Sequence, residues 1–171
     1  HDATPDYDVG FGFSALSITN NVFLCGDTAD WFSFIVLKPY GSGHSISGLD
    51  ISGNSFRAVN GKIDRVERVD TSFADIDYSK LQDIRIAGNS FHNIRAHMTN
   101  PVIKHHRQNS LDTTWRVNFD GDLPFKGHAR SVTSVVVTGT LKNDSNVTRY
   151  TSPSVQTSRG GKKDELELKW D

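Results

Sequence analysis

The sequence predicts an all-β protein, in which a short right-handed parallel β-helix stack is followed by a C-terminal antiparallel β domain. Three observations predict this fold. A short apolar pattern occurs three times between residues 13 and 91, and apolar and polar residues alternate within each copy. After residue 103 the repeat stops, while strand-like alternation continues. We therefore expect a linker or incomplete coil over residues 1–10, β-helix coils over 11–102 and a C-terminal β domain over 103–171.

The clearest copy of the repeat occupies residues 46–56, and it returns at 81–91 and, more faintly, at 13–23. The copies start 33 and 35 residues apart. Each is too short to bury its own apolar face, which is typical of a stacked solenoid. Superposition of the copies aligns five columns: Phe13/Ile46/Leu81, Leu16/Leu49/Ile84, Ile18/Ile51/Ile86, Asn21/Asn54/Asn89 and Phe23/Phe56/Phe91.

The period within each copy is two, because Asp50 separates Leu49 from Ile51 and the third copy repeats this arrangement. That period indicates a strand with its apolar side chains inward. A Gly-Asn pair follows the two clearer strands. Asn tolerates the left-handed backbone conformation and hydrogen-bonds its own backbone, so it suits a tight bend. Stacked at one corner, the asparagines of the fourth column predict a ladder of side-chain amides.

The I-x-G-N-x-F unit, with its β-branched and aromatic inward positions, resembles the pectate-lyase-like right-handed parallel β-helix family over residues 13–102. The resemblance implies the fold and leaves the chemistry open, because the family includes polysaccharide lyases, hydrolases, epimerases and non-catalytic phage spikes. Residues 115–170 are similar to the end of a spike-type β-helix protein of alphaproteobacterial phages or gene transfer agents.

Composition limits the classes of function. The 19 basic and 20 acidic residues nearly balance, which argues against nucleic-acid binding. No apolar run approaches the ~20 residues of a membrane span, so we expect no membrane insertion. A single cysteine, Cys25, excludes an intramolecular disulfide and a cysteine-based zinc cluster, and we expect it to be a small core residue. We expect no metal and no cofactor.

The individual elements can be predicted in chain order. The chain begins at His1 and has one methionine, so we expect a C-terminal fragment whose upstream coils cover the open first coil. Residues 31–37 are too apolar for an exposed strand, and we expect them within the coil or against a neighbouring subunit. The charged stretch 61–80 is predicted to be an excursion from the coil, followed by a strand over 73–78. In the C-terminal domain we predict strands over 115–119, 132–141, 149–156 and 165–170, and a hairpin turn at residues 120–121.

The outward positions of the shared strand form a column of Ser17, Asp50 and Arg85. Lyases of the resembled family place acids that hold calcium, and a base that removes a proton, on such a face. One acid is too few for that chemistry, so we favour an ion pair between Asp50 and Arg85. An exposed pair of this kind is worth about 0–1 kcal/mol.

Aromatic side chains are the second lead, because sugar rings pack on Trp and Tyr. Most large aromatics are expected in the core. Tyr40, beside a Gly-Ser-Gly turn, is predicted to be the most exposed of the candidates Trp31, Tyr40, Tyr78, Trp115, Tyr150 and Trp170. Together with the charged column, this gives the predicted glycan-binding residues: Tyr40, Tyr78, Asp50 and Arg85.

The acids of the charged stretch offer a paired-carboxylate glycosidase site as an alternative. The arginines at positions 65 and 68 interleave with these acids, so we favour a solvated loop whose charges compensate one another. No nucleophile motif, phosphate-binding loop or metal signature is present, and we predict no catalytic residues for this chain.

We therefore expect the C-terminal part of a β-helical virion or virion-like spike that binds host surface polysaccharide, located on a virion or extracellular surface. The alternatives are a polysaccharide lyase or hydrolase acting on acidic glycans, and a non-catalytic trimerisation domain. A homotrimer is expected because three coils bury little surface per residue. The apolar runs 31–37 and 135–137 also need cover on both faces.

Overall fold

A computed structural model describes residues 10–41, 43–143 and 145–170. Apart from Gly10, the linker predicted over residues 1–10 lies outside the described residues. The chain divides into two compact units, His1–Asn100 and Pro101–Asp171, which we call unit 1 and unit 2. In the described part the protein is all-β, and its helical segments are two single 3-10 turns, Tyr78–Lys80 and Pro124–Lys126.

Unit 1 contains short strands that belong to three successive repeats. We call β1–β4 repeat 1, β5–β9 repeat 2 and β10–β13 repeat 3. The strands are β1 (Gly12–Ser14), β2 (Ser17–Thr19), β3 (Val22–Cys25), β4 (Ile35–Leu37), β5 (Ser45–Ser47), β6 (Asp50–Ser52), β7 (Ser55–Ala58), β8 (Ile63–Arg65), β9 (Glu67–Val69), β10 (Leu81–Gln82), β11 (Arg85–Ala87), β12 (Ser90–His92) and β13 (Ile94–Ala96).

The strands of unit 1 pair in parallel with strands of another repeat. Three sheets have three strands each, in the orders β1-β5-β10, β2-β6-β11 and β3-β7-β12, and repeat 2 is central in all of them. Two further pairs are β4-β9 and β8-β13. The register confirms three predicted columns as direct cross-strand partners: Phe13/Ile46/Leu81, Ile18/Ile51/Ile86 and Phe23/Phe56/Phe91.

The central repeat supplies most of the core of unit 1. Leu49 and Ile51 are buried, and Phe56 has no exposed surface. The Phe56 ring stacks between Phe23 and Phe91, at centroid distances of 4.8 and 5.8 Å. Burying an aromatic or branched side chain fully stabilises a fold by roughly 1.5–3 kcal/mol. The predicted inward orientation of these positions is therefore correct, and their burial depends on having a repeat on each side.

The predicted amide ladder is present. Nδ2 of Asn21 donates to Oδ1 of Asn54 at 3.3 Å, and Nδ2 of Asn54 donates to Oδ1 of Asn89 at 3.0 Å. The backbone N–H groups of Asn21 and Asn54 donate to the same two oxygens, at 3.0 and 2.9 Å. Nδ2 of Asn54 also reaches the carbonyl of Ile18 at 2.8 Å, so one buried side chain joins all three repeats.

The tight bend at this corner is made by the residue before each ladder asparagine, so the expectation that the asparagine itself is left-handed is wrong. Asn20, Gly53 and Gly88 have φ values of 56, 66 and 63°. At Gly53 a Cβ atom would approach Oδ1 of Asn20 to 2.5 Å. Glycine is needed there for both its conformation and its size, while the following asparagine is free to use its side chain in the ladder.

The two outer faces of the repeats differ. Asn100 covers the β11 edge of repeat 3: its Oδ1 accepts from the N–H of Ile86 at 2.6 Å and its own N–H donates to the carbonyl of Ile86 at 2.9 Å. Met98 is buried, and the His97 ring stacks on Phe91 at 4.9 Å. On the other face, Phe13 is 56% exposed. The described residues therefore cap repeat 3 and leave repeat 1 open.

The charged stretch 61–80 is not an excursion. Its first half forms β8 and β9, which pair with β13 and β4, and Ile63 and Val66 are buried. The strand predicted over 73–78 is absent: those residues form bends that lead into the 3-10 turn Tyr78–Lys80. Oδ1 of Asp77 accepts from the N–H of Ser79 at 2.9 Å. Asp and Ser side chains compete for backbone groups in this way, which favours a turn over a strand.

Residues 31–37 are also less buried than predicted. Only Ile35–Leu37 forms a strand, and Trp31 and Val36 are exposed while Ile35 and Ser33 are buried. Cys25, expected in the core, is only half-buried. Val36 is the outward position of β4, between the more buried Ile35 and Leu37, and Trp31 lies in a turn before that strand.

Unit 2 has antiparallel strands: β14 (Thr114–Asn118), β15 (Leu141–Lys142), β16 (Thr148–Arg149), β17 (Ser154–Arg159) and β18 (Glu165–Lys169). Its sheet has the order β14-β18-β17, and β15 pairs with β16. The core consists of Val117, Phe119, Ala129, Leu166 and Leu168. The strands predicted over 115–119 and 165–170 are thus confirmed to within a residue or two. The turn at residues 120–121 does not join a hairpin, because β14 pairs with β18.

The strand predicted over 132–141 is wrong for all but its last residue. Residues 131–140 form no strand or bridge, and the same region exposes Val135, Val136 and Val137. The β-branched composition suits a strand, but a strand also needs a neighbour to accept its backbone hydrogen bonds. The described residues of this chain provide none along that segment.

We expect Asn54→Ala to lower the free energy of unfolding by about 2–4 kcal/mol, because it leaves buried donors and acceptors of both neighbouring repeats without partners. Asn21→Ala, at the exposed end of the ladder, is the matched control and is expected to cost less than about 1 kcal/mol. Urea unfolding followed by circular dichroism measures both. Equal losses for the two variants would contradict the bridging role of Asn54.

Candidate functional site

The outward column that the sequence predicted is present. Arg85 lies opposite Asp50 in the β11-β6 register, and its Nη1 lies 3.1 Å from Oδ2 of Asp50. The same Nη1 donates to Oγ of Ser52 at 3.4 Å. The Arg85 side chain is 63% exposed and that of Asp50 36%. The predicted ion pair is therefore confirmed, and it displays a guanidinium, a carboxylate and a hydroxyl side by side on the surface.

A second charged column lies on another outward face of unit 1. Nη1 of Arg95 contacts Oδ2 of Asp30 at 2.8 Å and also pairs with Oδ1 of Asp64. The hydrogen bonds that Arg95 donates to Asp64 and to Asp30 raise the pKa of Arg95. All three side chains are at least half exposed. The column takes one residue from each repeat, since the backbone N–H of Asp64 donates to the carbonyl of Asp30 at 2.8 Å and β8 pairs with β13.

Sequence reasoning missed this column because the repeated pattern ends at Phe23, Phe56 and Phe91, and the charged residues lie beyond it. Beyond that point the distance between equivalent residues changes, from 34 between Asp30 and Asp64 to 31 between Asp64 and Arg95. The signal that could have found it is the shared Ile-charged pair: Ile63 precedes Asp64 as Ile94 precedes Arg95.

Trp31 follows Asp30 directly and is 66% exposed. The guanidinium carbon of Arg68 lies 5.4 Å from the centroid of the Trp31 ring. A cation over an aromatic face at this distance is attracted by the ring quadrupole, and this attraction favours the orientation in which the indole packs on Arg68. An exposed aromatic face thus adjoins the column of Asp30, Asp64 and Arg95.

The two tyrosines predicted to contact glycan are less exposed than expected. Tyr40 is half-buried and stacks on Phe73, with ring centroids 4.7 Å apart. Tyr78 is also half-buried, and burial raises its pKa, an effect that the nearby charge of Arg65 partly offsets. Tyr150, which is 96% exposed, is more exposed than either of these two tyrosines. The structure brings Asp50 and Arg85 together, whereas Tyr40 packs against Phe73.

The acids of the charged stretch do not behave as one solvated loop. Glu67 is buried, and its Oε1 accepts from Nη2 and Nε of Arg65 at 2.6 and 3.0 Å. A carboxylate that is buried and bound to arginine is not accessible to a surface substrate. Asp70, by contrast, has its pKa lowered by hydrogen bonds from Ser72 and by Lys38, 3.4 Å away.

The described residues contain no group of three His, Cys, Asp or Glu side chains placed to hold a metal ion. The helical segments in the described part of the chain also fall short of the length and apolar character of a membrane-crossing helix. Comparisons with protein-family models, curated proteins and solved structures gave no match to this chain. The candidate site is therefore defined by geometry alone: two charged columns on different outward faces of unit 1, and one exposed indole.

We expect the stability of unit 1 to fall as the pH rises above about 10, because Tyr78 has a folded-state pKa above its ordinary value of 10.0. A raised pKa means that the neutral hydroxyl is favoured in the folded state. Its contribution is complete below the unfolded pKa and is lost as the pH rises through the folded one.

Urea unfolding at about pH 8 and about pH 11 tests this expectation. Tyr78→Phe should lose less stability over that interval than the wild type, and Tyr150→Phe, at an exposed tyrosine, should match the wild type. An identical pH dependence for the wild type and Tyr78→Phe would contradict the assignment.

Proposed function

We propose that this protein is the C-terminal part of a β-helical virion or virion-like spike that binds host surface polysaccharide without cleaving it. The observation that carries the proposal is the display of charged and polar side chains in register on neighbouring parallel strands. Strands in a sheet are about 4.8 Å apart, so a column across three repeats covers about 10 Å. A linear polymer of sugar residues can follow such a column.

The proposal includes the architecture of unit 1 as a short right-handed parallel β-helix. Its support is the parallel pairing of successive repeats in three sheets that all have repeat 2 in the centre. The Asn54 ladder and the Phe23, Phe56 and Phe91 stack run through the same repeats. Short strands connected through left-handed corner residues at 48 and 53 fit one circuit of the chain per repeat.

A glycoside hydrolase is the alternative, and Asp30 and Asp64 are the observation that favours it. Both carboxylates contact one nitrogen of Arg95, so they lie close together, as the two acids of a retaining glycosidase do. A general acid in such an enzyme is kept protonated by an apolar environment. Asp30 and Asp64 are instead more than half exposed and ion-paired, which favours binding over catalysis.

A glycan array, followed by a product assay on every glycan that binds, separates these functions. We expect binding with no release of shorter or unsaturated sugars. If the wild type releases product and the double variant Asp30→Asn, Asp64→Asn does not, the protein is an enzyme and the proposal of a non-cleaving spike is wrong. If the protein neither binds nor cleaves any glycan, the remaining candidate is a non-catalytic trimerisation domain.

We further propose that the protein acts as a homotrimer, with residues 131–140 at the interface. This segment is rich in β-branched residues but forms no strand, and Val136 is 76% exposed. It lines two open grooves of about 420 and 300 Å³ in unit 2, together with side chains that include Val155 and Tyr150. Pairing with residues 131–140 of neighbouring copies would supply hydrogen-bonding partners for the backbone of this segment and would cover its apolar side chains. Repeated binding faces would also strengthen weak glycan contacts by multivalency.

Light scattering at micromolar concentration tests the trimer. We expect three times the chain mass of 19.0 kDa. Val136→Asp places a charge in the proposed interface and should shift the mass toward that of the single chain. Val59→Asp, at a valine of unit 1 that is 53% exposed, is the control and should leave the trimer intact. A wild-type mass near 19.0 kDa would overturn the proposal.

A further inference from the structure

Trp31 differs from the other tryptophans of the chain in its exposure. Its side chain is 66% exposed, whereas Trp115 and Trp170 are half-buried and pack against each other in a tilted arrangement, with ring centroids 4.8 Å apart. A large aromatic surface left in water is unfavourable for an isolated fold. Because Arg68 covers one face of the indole, the exposed surface of Trp31 includes the opposite face.

Polar groups lie directly beside this face. Asp30 precedes Trp31 in the chain, and the backbone N–H of Asp64 donates to the carbonyl of Asp30 at 2.8 Å, so the three residues are backbone neighbours. Asp30 uses Oδ2 and Asp64 uses Oδ1 to hold Arg95, which leaves Oδ1 of Asp30 and Oδ2 of Asp64 outside these ion pairs. These oxygens are hydrogen-bond acceptors that face solvent.

An apolar ring face with carboxylate acceptors on neighbouring residues suits a pyranose, which has an apolar C–H face and polar hydroxyls at its edge. The C–H groups of one sugar face pack on an indole, and the hydroxyls at its edge donate to carboxylate oxygens. We infer that Trp31, Asp30, Asp64 and Arg95 form a stacking subsite for an uncharged pyranoside residue, with Arg68 as the residue that positions the indole. This inference rests on the proposed polysaccharide binding and assigns it a location and a class of sugar.

The charges of the subsite select against acidic sugars. Asp30 and Asp64 balance Arg95 and Arg68, so the cluster has no net positive charge to attract a uronate or a sialate. The guanidinium of Arg95 already holds two carboxylates, and a third from the ligand would meet the exposed oxygens of Asp30 and Asp64. Sugar hydroxyls have no such penalty, because they donate to those oxygens.

The backbone makes the subsite rigid. The N–H of Asp64 donates to the carbonyl of Asp30, and Arg95 lies on β13, which pairs with β8. Arg68 lies on β9, which pairs with β4. Asp64, Arg68 and Arg95 therefore project from hydrogen-bonded strands of repeats 2 and 3, and little backbone entropy remains to be lost there when a sugar binds.

The test compares binding of an uncharged panel (dextran, galactan and mannan) and an acidic panel (polygalacturonate and polysialate) to the wild type and three variants. We expect the wild type to bind at least one uncharged polysaccharide and neither acidic one. Trp31→Ala should weaken that binding by about tenfold or more, because truncating a central aromatic contact has the largest cost in an interface. Trp31→Phe should retain part of the affinity, and Leu111→Ala, at an apolar side chain of unit 2 that is 76% exposed, should retain all of it.

Protection of the indole provides a second measurement that does not depend on the variants. N-bromosuccinimide should oxidise Trp31 before Trp115 and Trp170, and the bound polysaccharide should slow that oxidation. Peptide mass mapping identifies which tryptophan has reacted. Circular dichroism confirms that each variant is folded.

The possible failures are distinct. Binding of uncharged polysaccharide that survives Trp31→Ala, with no protection of Trp31, would overturn the subsite and leave the proposed function standing. Binding of acidic polysaccharide alone would overturn the assigned class of sugar. Absence of binding to every polysaccharide in both panels and in the glycan array would overturn the proposed function, and the subsite with it.

Discussion

The hydrogen-bonded register between successive repeats is the constraint on which unit 1 depends. Asn54 has almost no exposed surface, yet its side chain and backbone bond to both neighbouring repeats. A slip of one residue would turn every inward side chain of a strand outward. The amide ladder opposes that slip, because a shift would separate the buried Asn54 side chain from its hydrogen-bonding partners in both neighbouring repeats. The Phe56 stack can then form without competing arrangements.

The arrangement of charged side chains on the surface of unit 1 follows from the same register. Parallel strands in register place equivalent outward residues above one another, so a charge in one repeat meets a charge in the next. Arg85 over Asp50, and Arg95 over Asp64, are both consequences of this geometry. Exposed ion pairs of this kind add about 0–1 kcal/mol each to stability. Their contribution to folding is therefore small beside that of the buried core.

The open face of repeat 1 shows how strongly burial depends on neighbours. Leu49 in repeat 2 is 1% exposed, whereas Leu16 in the same column is 42% exposed. The two residues are chemically identical and occupy equivalent positions. Only the presence of a repeat on each side distinguishes them. Asn100 and Met98 provide a substitute for that neighbour on repeat 3, by backbone hydrogen bonds and by apolar cover.

The sequence by itself determined the elements whose signals are local and repeated. The columns of Ile51, Asn54 and Phe56 were predictable because each position recurs with the same side-chain chemistry, and the Asp50 and Arg85 pair followed from strand alternation. Tertiary structure alone decided the fate of side chains whose environment depends on distant residues. Glu67 is buried because Arg65 neutralises it, and Trp31 is exposed although it begins an apolar run. Residues 131–140 have strand composition but form no strand, because a strand needs a hydrogen-bonding neighbour as well as a suitable sequence.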